Sequence, residues 1–202
     1  MKQNYQLDTD EIIEKLGEKK PSILLQCCCG PCSTYVLDYL SRYFDVTVLF
    51  YNPNIQPPEE YEKRLFWLGE VVSKYGGSVK TMECSYDGER FGEMAKGLEN
   101  EPEGGRRCTR CFELRLRETA KRAAAGGFDY FCTTLTVSPH KDQNRINALG
   151  FELEREFGVK WLPSDFKKRE GYKRSIELSR EYGLYRQDYC GCLFSRDSIK
   201  NV

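Results

Sequence analysis

SILLQCCCGPCSTYVLDYL, residues Ser22–Leu40, is the stretch from which the fold of this chain can be read. An apolar run leads into a tract of cysteines, which a Gly-Pro pair separates from apolar residues at helical spacing. This order predicts a buried strand, a tight turn and the start of a helix. Loops after the carboxyl ends of parallel strands are where α/β proteins bind ligands. Because a helix N-terminus favours thiolates, Cys28, Cys29 and Cys32 are candidate thiolates, whereas Cys27 is expected to pack in the core.

Strand-like and helix-like segments alternate along the rest of the chain. Predicted strands cover 45–51, 78–82, 128–132 and 159–162, and predicted helices include 57–75, 106–125, 142–157 and 171–183. This alternation predicts an α/β fold with a doubly wound parallel sheet of about five strands. We expect one domain over residues 1–202, with an irregular excursion near 86–107 and a C-terminal tail that carries cysteines.

The composition narrows the classes of function. A chain of 202 residues can bury a core without disulfides, and ten cysteines are fewer than disulfide-stapled secreted scaffolds carry. The charged N-terminus contains no apolar signal segment, and no run reaches transmembrane length, so the expected compartment is the cytoplasm. Clustered cysteines there usually serve metal or redox chemistry. Since 31 basic and 31 acidic residues cancel, any binding of nucleic acid must use a local patch.

Cysteines at predicted loops and helix starts form three groups. They are Cys28, Cys29 and Cys32; Cys108 and Cys111; and Cys190 and Cys192. A doubly wound fold brings such loops to one edge of its sheet, so the groups can share one site. Four thiolates drawn from two groups can hold a [4Fe–4S] cluster or a tetrahedral zinc ion. The Cys-Gly-Cys pair can form a reducible disulfide or bind a metal jointly. Cys84 and Cys132 have no neighbouring partner and are expected to pack in the core.

Basic residues in two segments are candidate contacts for phosphate, and a solvated helix face is the alternative interpretation. They are Arg106, Arg107 and Arg110 beside the second cysteine group, and Lys167, Lys168, Arg169, Lys173 and Arg174. His140 is the single histidine, which excludes a His-rich metal site.

Five blocks, in chain order and spread over nearly the whole chain, resemble the QueH-type epoxyqueuosine reductases. They are Cys28–Cys32, Asn52–Ile55, Arg107–Cys111, Thr133–Lys141 (TTLTVSPHK) and Tyr185–Cys192. The resemblance implies an oxidoreductase that converts epoxyqueuosine to queuosine in the wobble position of tRNA, the last step of that modification pathway. It also implies a fold similar to the adenine-nucleotide alpha-hydrolase/PP-loop (HUP-like) group.

The same resemblance implies roles for the cysteines. Cys28, Cys29, Cys108 and Cys111 match ligands of a [4Fe–4S] cluster. Cys190 and Cys192, with Cys32 nearby, match a redox-active pair or part of a second metal site that holds an additional iron ion. The expected partners are tRNA carrying epoxyqueuosine in its anticodon and an external electron donor, with no membrane.

Removing an epoxide oxygen to leave an alkene takes two electrons and two protons. A cluster handles electrons singly and a dithiol supplies a pair, so the two cysteine sets can divide the work. Candidate proton donors are Tyr189, Asp188 or an ordered water. Candidate stacking partners for a flipped base are Tyr51, Tyr185 and Phe166.

Two other functions remain compatible with the same residues. One is a zinc-stabilised RNA-binding module without catalysis, in which the thiols serve only structure. The other is a dithiol oxidoreductase that uses Cys190 and Cys192 on protein or peroxide substrates.

Overall fold

A computed structural model describes residues 3–200 of the chain, and their side chains through residue 196. Five strands form one parallel sheet in the order β3-β2-β1-β4-β5. Their bounds are β1 Ser22–Gln26, β2 Asp45–Leu49, β3 Lys80–Met82, β4 Tyr130–Thr133 and β5 Lys160–Trp161. The prediction of an α/β fold with a parallel sheet of about five strands is confirmed. β2, β3 and β5 are each two residues shorter than predicted.

Helices cover both faces of the sheet. They are α1 Tyr5–Leu16, α2 Gly30–Leu40, α3 Pro58–Ser73, α4 Gly88–Ala95, α5 Arg106–Ala125, α6 Gln143–Phe157, α7 Gly171–Glu181 and α8 Leu193–Lys200, with a 3₁₀ turn at Thr134–Val137. α2 packs against α3 and α7, and α5 packs against α6. α4 lies inside the predicted irregular excursion, and α8 follows the tail cysteines. Within residues 3–200, no helix has the length and apolar character needed to cross a bilayer.

The central strand β1 separates two apolar cores. Ile23 and Leu25 face the core under α2 and α3, whereas Leu24 faces the core under α5 and α6. All three residues are fully buried. Successive side chains of a strand point to opposite faces, so a strand covered on both sides reads as a continuous apolar run.

Polar side chains join the strands at the carboxyl edge of the sheet. Gln26, the last residue of β1, donates to Asn52 Oδ1 at 3.0 Å and accepts from Thr133 Oγ1 at 2.7 Å. Asn52, just after β2, donates in turn to the carbonyl of Cys27 at 2.8 Å. The chain leaves β1 toward β2 and β3 and later returns to β4 on the other side, which makes the β1/β4 border the topological switch point. The cysteine tract begins there.

Candidate metal centre

The first cysteine group lies at the N-terminus of α2, directly after β1. The Sγ atoms of Cys28, Cys29 and Cys32 all lie within 4.8 Å of one another, so this group can bind a metal ion. Cys29 is the N-cap of α2, and its sulfur accepts the Cys32 backbone N–H at 3.4 Å. The backbone N–H of Cys28 donates to Thr134 Oγ1 at 3.2 Å, which ties the tract to the end of β4 across the switch point.

The three thiols of this group share their protons unequally. Hydrogen bonds from Cys29 and then Cys32 hold the pKa of Cys28 well below its usual range, although burial opposes this effect. The hydrogen bond with Cys28 raises the pKa of Cys29 to about 12, and bonds to both neighbours raise the pKa of Cys32. The arrangement therefore favours one thiolate stabilised by two thiols. Thiolates are the form in which cysteine ligates metals.

The second group lies in the first turns of α5. Cys108 Sγ accepts the Gly104 backbone N–H at 3.2 Å, and Cys111 is buried. Burial raises the pKa of Cys111, while the positive charge of Arg115, one turn further along the helix, opposes that rise. Gly105 is the N-cap of α5, and the first backbone N–H of the helix, that of Arg106, donates to Glu101 Oε2 at 2.9 Å.

The third group lies in the tail between α7 and α8. Cys190 Sγ and Cys192 Sγ are 3.5 Å apart. The hydrogen bond from Cys192 lowers the pKa of Cys190, with help from the charge of Lys141, whereas the same bond raises the pKa of Cys192. The pair thus consists of one acidic thiol and one that retains its proton. Such an asymmetry suits a dithiol in which one sulfur attacks and the other resolves.

A single cavity of about 530 Å³ brings the three groups together. Its wall includes the cysteines Cys28, Cys32, Cys108, Cys111, Cys190 and Cys192 and the charged residues Arg64, Glu103, Arg107, Arg115, Lys141, Arg186 and Asp188. Every cysteine of the three groups is free. A set of six thiols around one space, with cationic side chains among them, fits a thiolate-ligated metal. Residues of all three groups therefore reach one cavity, whereas Cys29, a predicted cluster ligand, is fully buried and is not among the lining residues. That the groups bind one metal centre stays a prediction.

The residues predicted to contact tRNA are mostly engaged within the protein. Arg107 is 4% exposed, and its Nη1 donates to three carbonyls of the loop at 98–101. The others with a carboxylate partner are Arg106 with Glu101, Arg110 with Glu113, Lys167 with Asp165, Arg169 with Asp10, Lys173 with Glu170 and Arg174 with Glu177. Lys168 is exposed at the surface before α7.

Two of the three aromatic side chains predicted to stack on a flipped base are buried in the apolar cores. Tyr51 is 3% exposed and Phe166 is fully buried, and both belong to the apolar cores, so the prediction that they stack on a base is wrong. Tyr185 is half-buried, with its hydroxyl donating to Glu60 and Lys63 lying over its ring. Three cysteines were expected to pack in the core. Cys27 and Cys132 are buried there, whereas Cys84 is only half-buried.

Three polar residues of the site carry no sequence signal of their own. Arg64 and Arg115 lie on amphipathic helices, where a basic residue is normally exposed, yet they are 2% and 4% exposed. Gln187 donates from Nε2 to Cys29 Sγ at 3.0 Å. Its position inside the Tyr185–Cys192 block was the one available indication that it lies near the cysteines.

Comparisons with known proteins agree on one family. The family profile described as epoxyqueuosine reductase QueH matches residues 23–198 of this chain. A relative of that name from Streptococcus pyogenes serotype M1 is 44% identical over 205 residues, covering 96% of this chain and 80% of its own. One from Staphylococcus epidermidis is 45% identical over 205 residues, with 95% and 86% covered. One from Thermotoga maritima is 38% identical over 178 residues, with 86% and 90% covered.

Proposed function

Because this chain belongs to the QueH family of epoxyqueuosine reductases, it is an oxidoreductase of queuosine biosynthesis, and we propose that the cysteine-lined cavity is where it reduces epoxyqueuosine in tRNA. One observation carries the assignment to this cavity, namely that cysteines from α2, from α5 and from the tail line a single space at the switch point of the sheet. Membership of the family favours this reductase over the zinc-stabilised binding module and the general dithiol oxidoreductase.

Cys28, Cys29, Cys108 and Cys111 would hold a [4Fe–4S] cluster. When bound, such a cluster supplies electrons one at a time and offers Lewis-acidic iron. Support for this ligand set comes from the acidic thiol of Cys28, from the placement of Cys111 in the same wall and from the nearby charge of Arg115. Cys32 belongs to the same tight group of sulfurs, and the additional iron ion that the resemblance implies stays a prediction.

Cys190 and Cys192 would act as the redox-active pair. Oxidation of a dithiol to a disulfide releases two electrons and two protons, and conversion of an epoxide to an alkene consumes both and yields water. The two half-reactions therefore balance. The two sulfurs lie 3.5 Å apart, and a disulfide bond would bring them to about 2.0 Å. An external reductant then returns the disulfide to the dithiol.

Lys141 would deliver the proton to the departing oxygen. Its side chain is 14% exposed, lines the cavity and lies 3.8 Å from Glu103. The Tyr189 hydroxyl, a candidate from the sequence, is already committed as a donor to the Gln56 carbonyl at 3.0 Å. Asp188 also lines the cavity. The ammonium of Lys141 can protonate an alkoxide as the C–O bond breaks.

Anaerobic turnover tests this function. The protein, reconstituted with iron and sulfide, is incubated with tRNA that contains epoxyqueuosine and with a chemical reductant, and the nucleosides are analysed by mass spectrometry. We expect queuosine to form and the protein to contain iron and acid-labile sulfide. Zinc without sulfide, together with unchanged epoxyqueuosine, would contradict the proposal and support the non-catalytic binding module.

A further inference from the structure

The tail that carries Cys190 and Cys192 is docked on a receptacle formed by the turn after β2 and by α3. The backbone N–H of Gln56 donates to the Gly191 carbonyl at 2.9 Å. In the opposite direction, the Tyr189 hydroxyl donates to the Gln56 carbonyl at 3.0 Å. These bonds join chain segments more than 130 residues apart. Backbone bonds of this kind fix the path of a segment that belongs to no strand or helix.

Arg64 forms the centre of this receptacle. It is 2% exposed, and its Nε donates to Glu60 Oε1 at 2.6 Å. Nη1 donates to the Cys190 carbonyl at 3.2 Å and Nη2 to the Tyr189 carbonyl at 3.4 Å. The guanidinium also lies 4.9 Å from the centre of the Tyr189 ring. A planar group with five donors can make these contacts together, and the single ammonium of lysine cannot.

The tail is shaped to approach Arg64 closely. Gly191 has φ +118°, a conformation that side chains with a Cβ rarely adopt. A Cβ at this position would lie 2.8 Å from Ile55 Cγ1 and 3.1 Å from Arg64 Nη1. Because residue 191 is glycine, the backbone between the two cysteines can pack directly against Ile55 and Arg64. Both sides of the contact, the arginine and the glycine, are needed for the same close fit.

We propose that Arg64 is a positioning residue that holds the Cys190–Cys192 pair in the cavity wall. This inference rests on the proposed function, in which that pair reduces the substrate. Without the two carbonyl bonds, the tail would leave the receptacle part of the time, and the sulfurs would lose their fixed place beside Lys141. Docking of the tail, and not the chemistry of the thiols, is what the arginine controls.

Two variants test the proposal from opposite sides of the contact. Arg64→Lys keeps the charge and removes the fork, and Gly191→Ala leaves Arg64 intact and adds the obstructing Cβ. The first readout is the rate at which iodoacetamide alkylates Cys190 in the reduced protein without tRNA, followed by peptide mass spectrometry. We expect both variants to react about tenfold faster or more, because each loses hydrogen bonds to a charged group or the close fit that permits them.

The second readout is single-turnover reduction of epoxyqueuosine in tRNA, with iron content measured on the same samples. We expect turnover to fall at least tenfold in both variants while iron content and tRNA affinity hold. Arg42→Lys is the matched control, since Arg42 also pairs with an acid one turn away, Asp38, but is exposed. Wild-type alkylation and turnover in both variants would overturn the proposal.

Loss of the docked tail and loss of the dithiol chemistry give different results in these measurements. If Cys190→Ser keeps full turnover, the pair is not the reductant, and the proposed function loses its dithiol step. The alkylation rates still report docking in that case, because they need neither substrate nor metal. Gly191→Ala also guards against a folding defect in Arg64→Lys, since the glycine lies outside the helices and strands.

Discussion

Arg115 brings a positive charge into the cavity wall, where the residue is 4% exposed. In the described part of the chain, both of its hydrogen-bond partners are neutral, namely the Cys111 carbonyl and Asn52 Oδ1, each at 3.4 Å. A buried charge is costly without an opposite one nearby. Thiolates of the first two cysteine groups are the natural counter-charge. Arg115 already contributes, after the hydrogen bonds from the neighbouring thiols, to the low pKa of Cys28.

Arg115→Gln should therefore weaken the metal centre. Loss of the cation disfavours both the thiolates and any added electron, so we expect less iron per chain and a reduction potential more negative by tens of millivolts. Iron analysis and a spectroscopic redox titration measure the two effects. Arg117→Gln is the control, because Arg117 lies two residues further along α5 with its side chain 40% exposed. Equal iron content and equal potentials in both variants would contradict a role for Arg115.

Lys141→Gln tests the assignment of the proton donor. The glutamine amide keeps the polarity of the side chain, although it is one methylene shorter, and it has no acidic proton to give, so the rate of single-turnover reduction should fall by about 10²-fold. Lys141→Arg should be similarly slow, because arginine keeps the charge and does not release a proton at neutral pH. Rapid-quench kinetics with nucleoside analysis measures the rates. A fast Lys141→Arg variant would show that charge, and not proton transfer, is what the cavity needs.

At the scale of elements, Gly30 sets the distance between α2 and α3. A Cβ on Gly30 would lie 2.8 Å from the carbonyl oxygen of Trp67, a backbone atom that cannot turn aside. Gly30→Ala must therefore push apart the two helices, and this contact lies between Cys29, the N-cap of α2, and Cys32 in its first turn. We expect a loss of roughly 1–3 kcal/mol in the free energy of unfolding, as for other overpacked contacts, and a lower iron content.

Urea unfolding and iron analysis measure the two consequences of Gly30→Ala. The matched control is Gly69→Ala on α3, where nothing lies within 4 Å of an added Cβ. Alanine in an exposed helix interior is favourable by up to about 1 kcal/mol relative to glycine, so this control should be slightly more stable than the parent. If Gly30→Ala unfolded like Gly69→Ala, the packing of α2 on α3 would not set the position of the cysteines.

The strength of the local signal decided which elements could be predicted from the sequence. β1 and α2 were predictable because an apolar run, a Gly-Pro turn and helical spacing follow one another within a few residues. α4, Gly88–Ala95, was missed because it is short and polar, with Phe91 and Ala95 as its buried residues. α8, Leu193–Lys200, was missed because its eight residues are too few to show a clear helical periodicity. Short elements of this kind are stabilised by tertiary contacts more than by their own propensity.

The same limit applies to the site. The grouping of cysteines along the chain predicted that thiols would meet, because parallel strands deliver their loops to one edge. The burial of Arg64 and Arg115 could not be predicted from the sequence. Arg64 and Glu60 form an ordinary i,i+4 pair, which by itself indicates an exposed helix face. The contacts that place the two arginines in the site lead to the Cys190 carbonyl and to the Asn52 amide, far away in sequence. Such contacts appear only once the chain is folded.

For the whole molecule, charge is balanced locally as well as in total. Most basic residues predicted to contact tRNA pair with an acid nearby, and surface pairs of this kind leave little net field. Around the cavity the balance differs, since its wall contains two acids, Glu103 and Asp188, and five cations, Arg64, Arg107, Arg115, Lys141 and Arg186. Arg186 is the exposed cation of this set. We therefore expect the anticodon to meet its strongest positive field at the cavity itself.

Arg186→Glu should weaken tRNA binding more than the same reversal at Arg106 or Arg110, whose charges are already shared with Glu101 and Glu113. Each phosphate contact that is lost removes about 0.7–0.9 from the slope of log affinity against log salt, so the slope should flatten by roughly one. Filter binding across a salt series measures both quantities. Arg42→Glu is the control, since Arg42 follows the C-terminus of α2, at the edge of the sheet opposite the cavity. Equal slopes for Arg186→Glu and Arg42→Glu would show that the tRNA backbone does not bind at the cavity. The basic residues of 106–110 and 167–174 would then be the remaining candidate contacts.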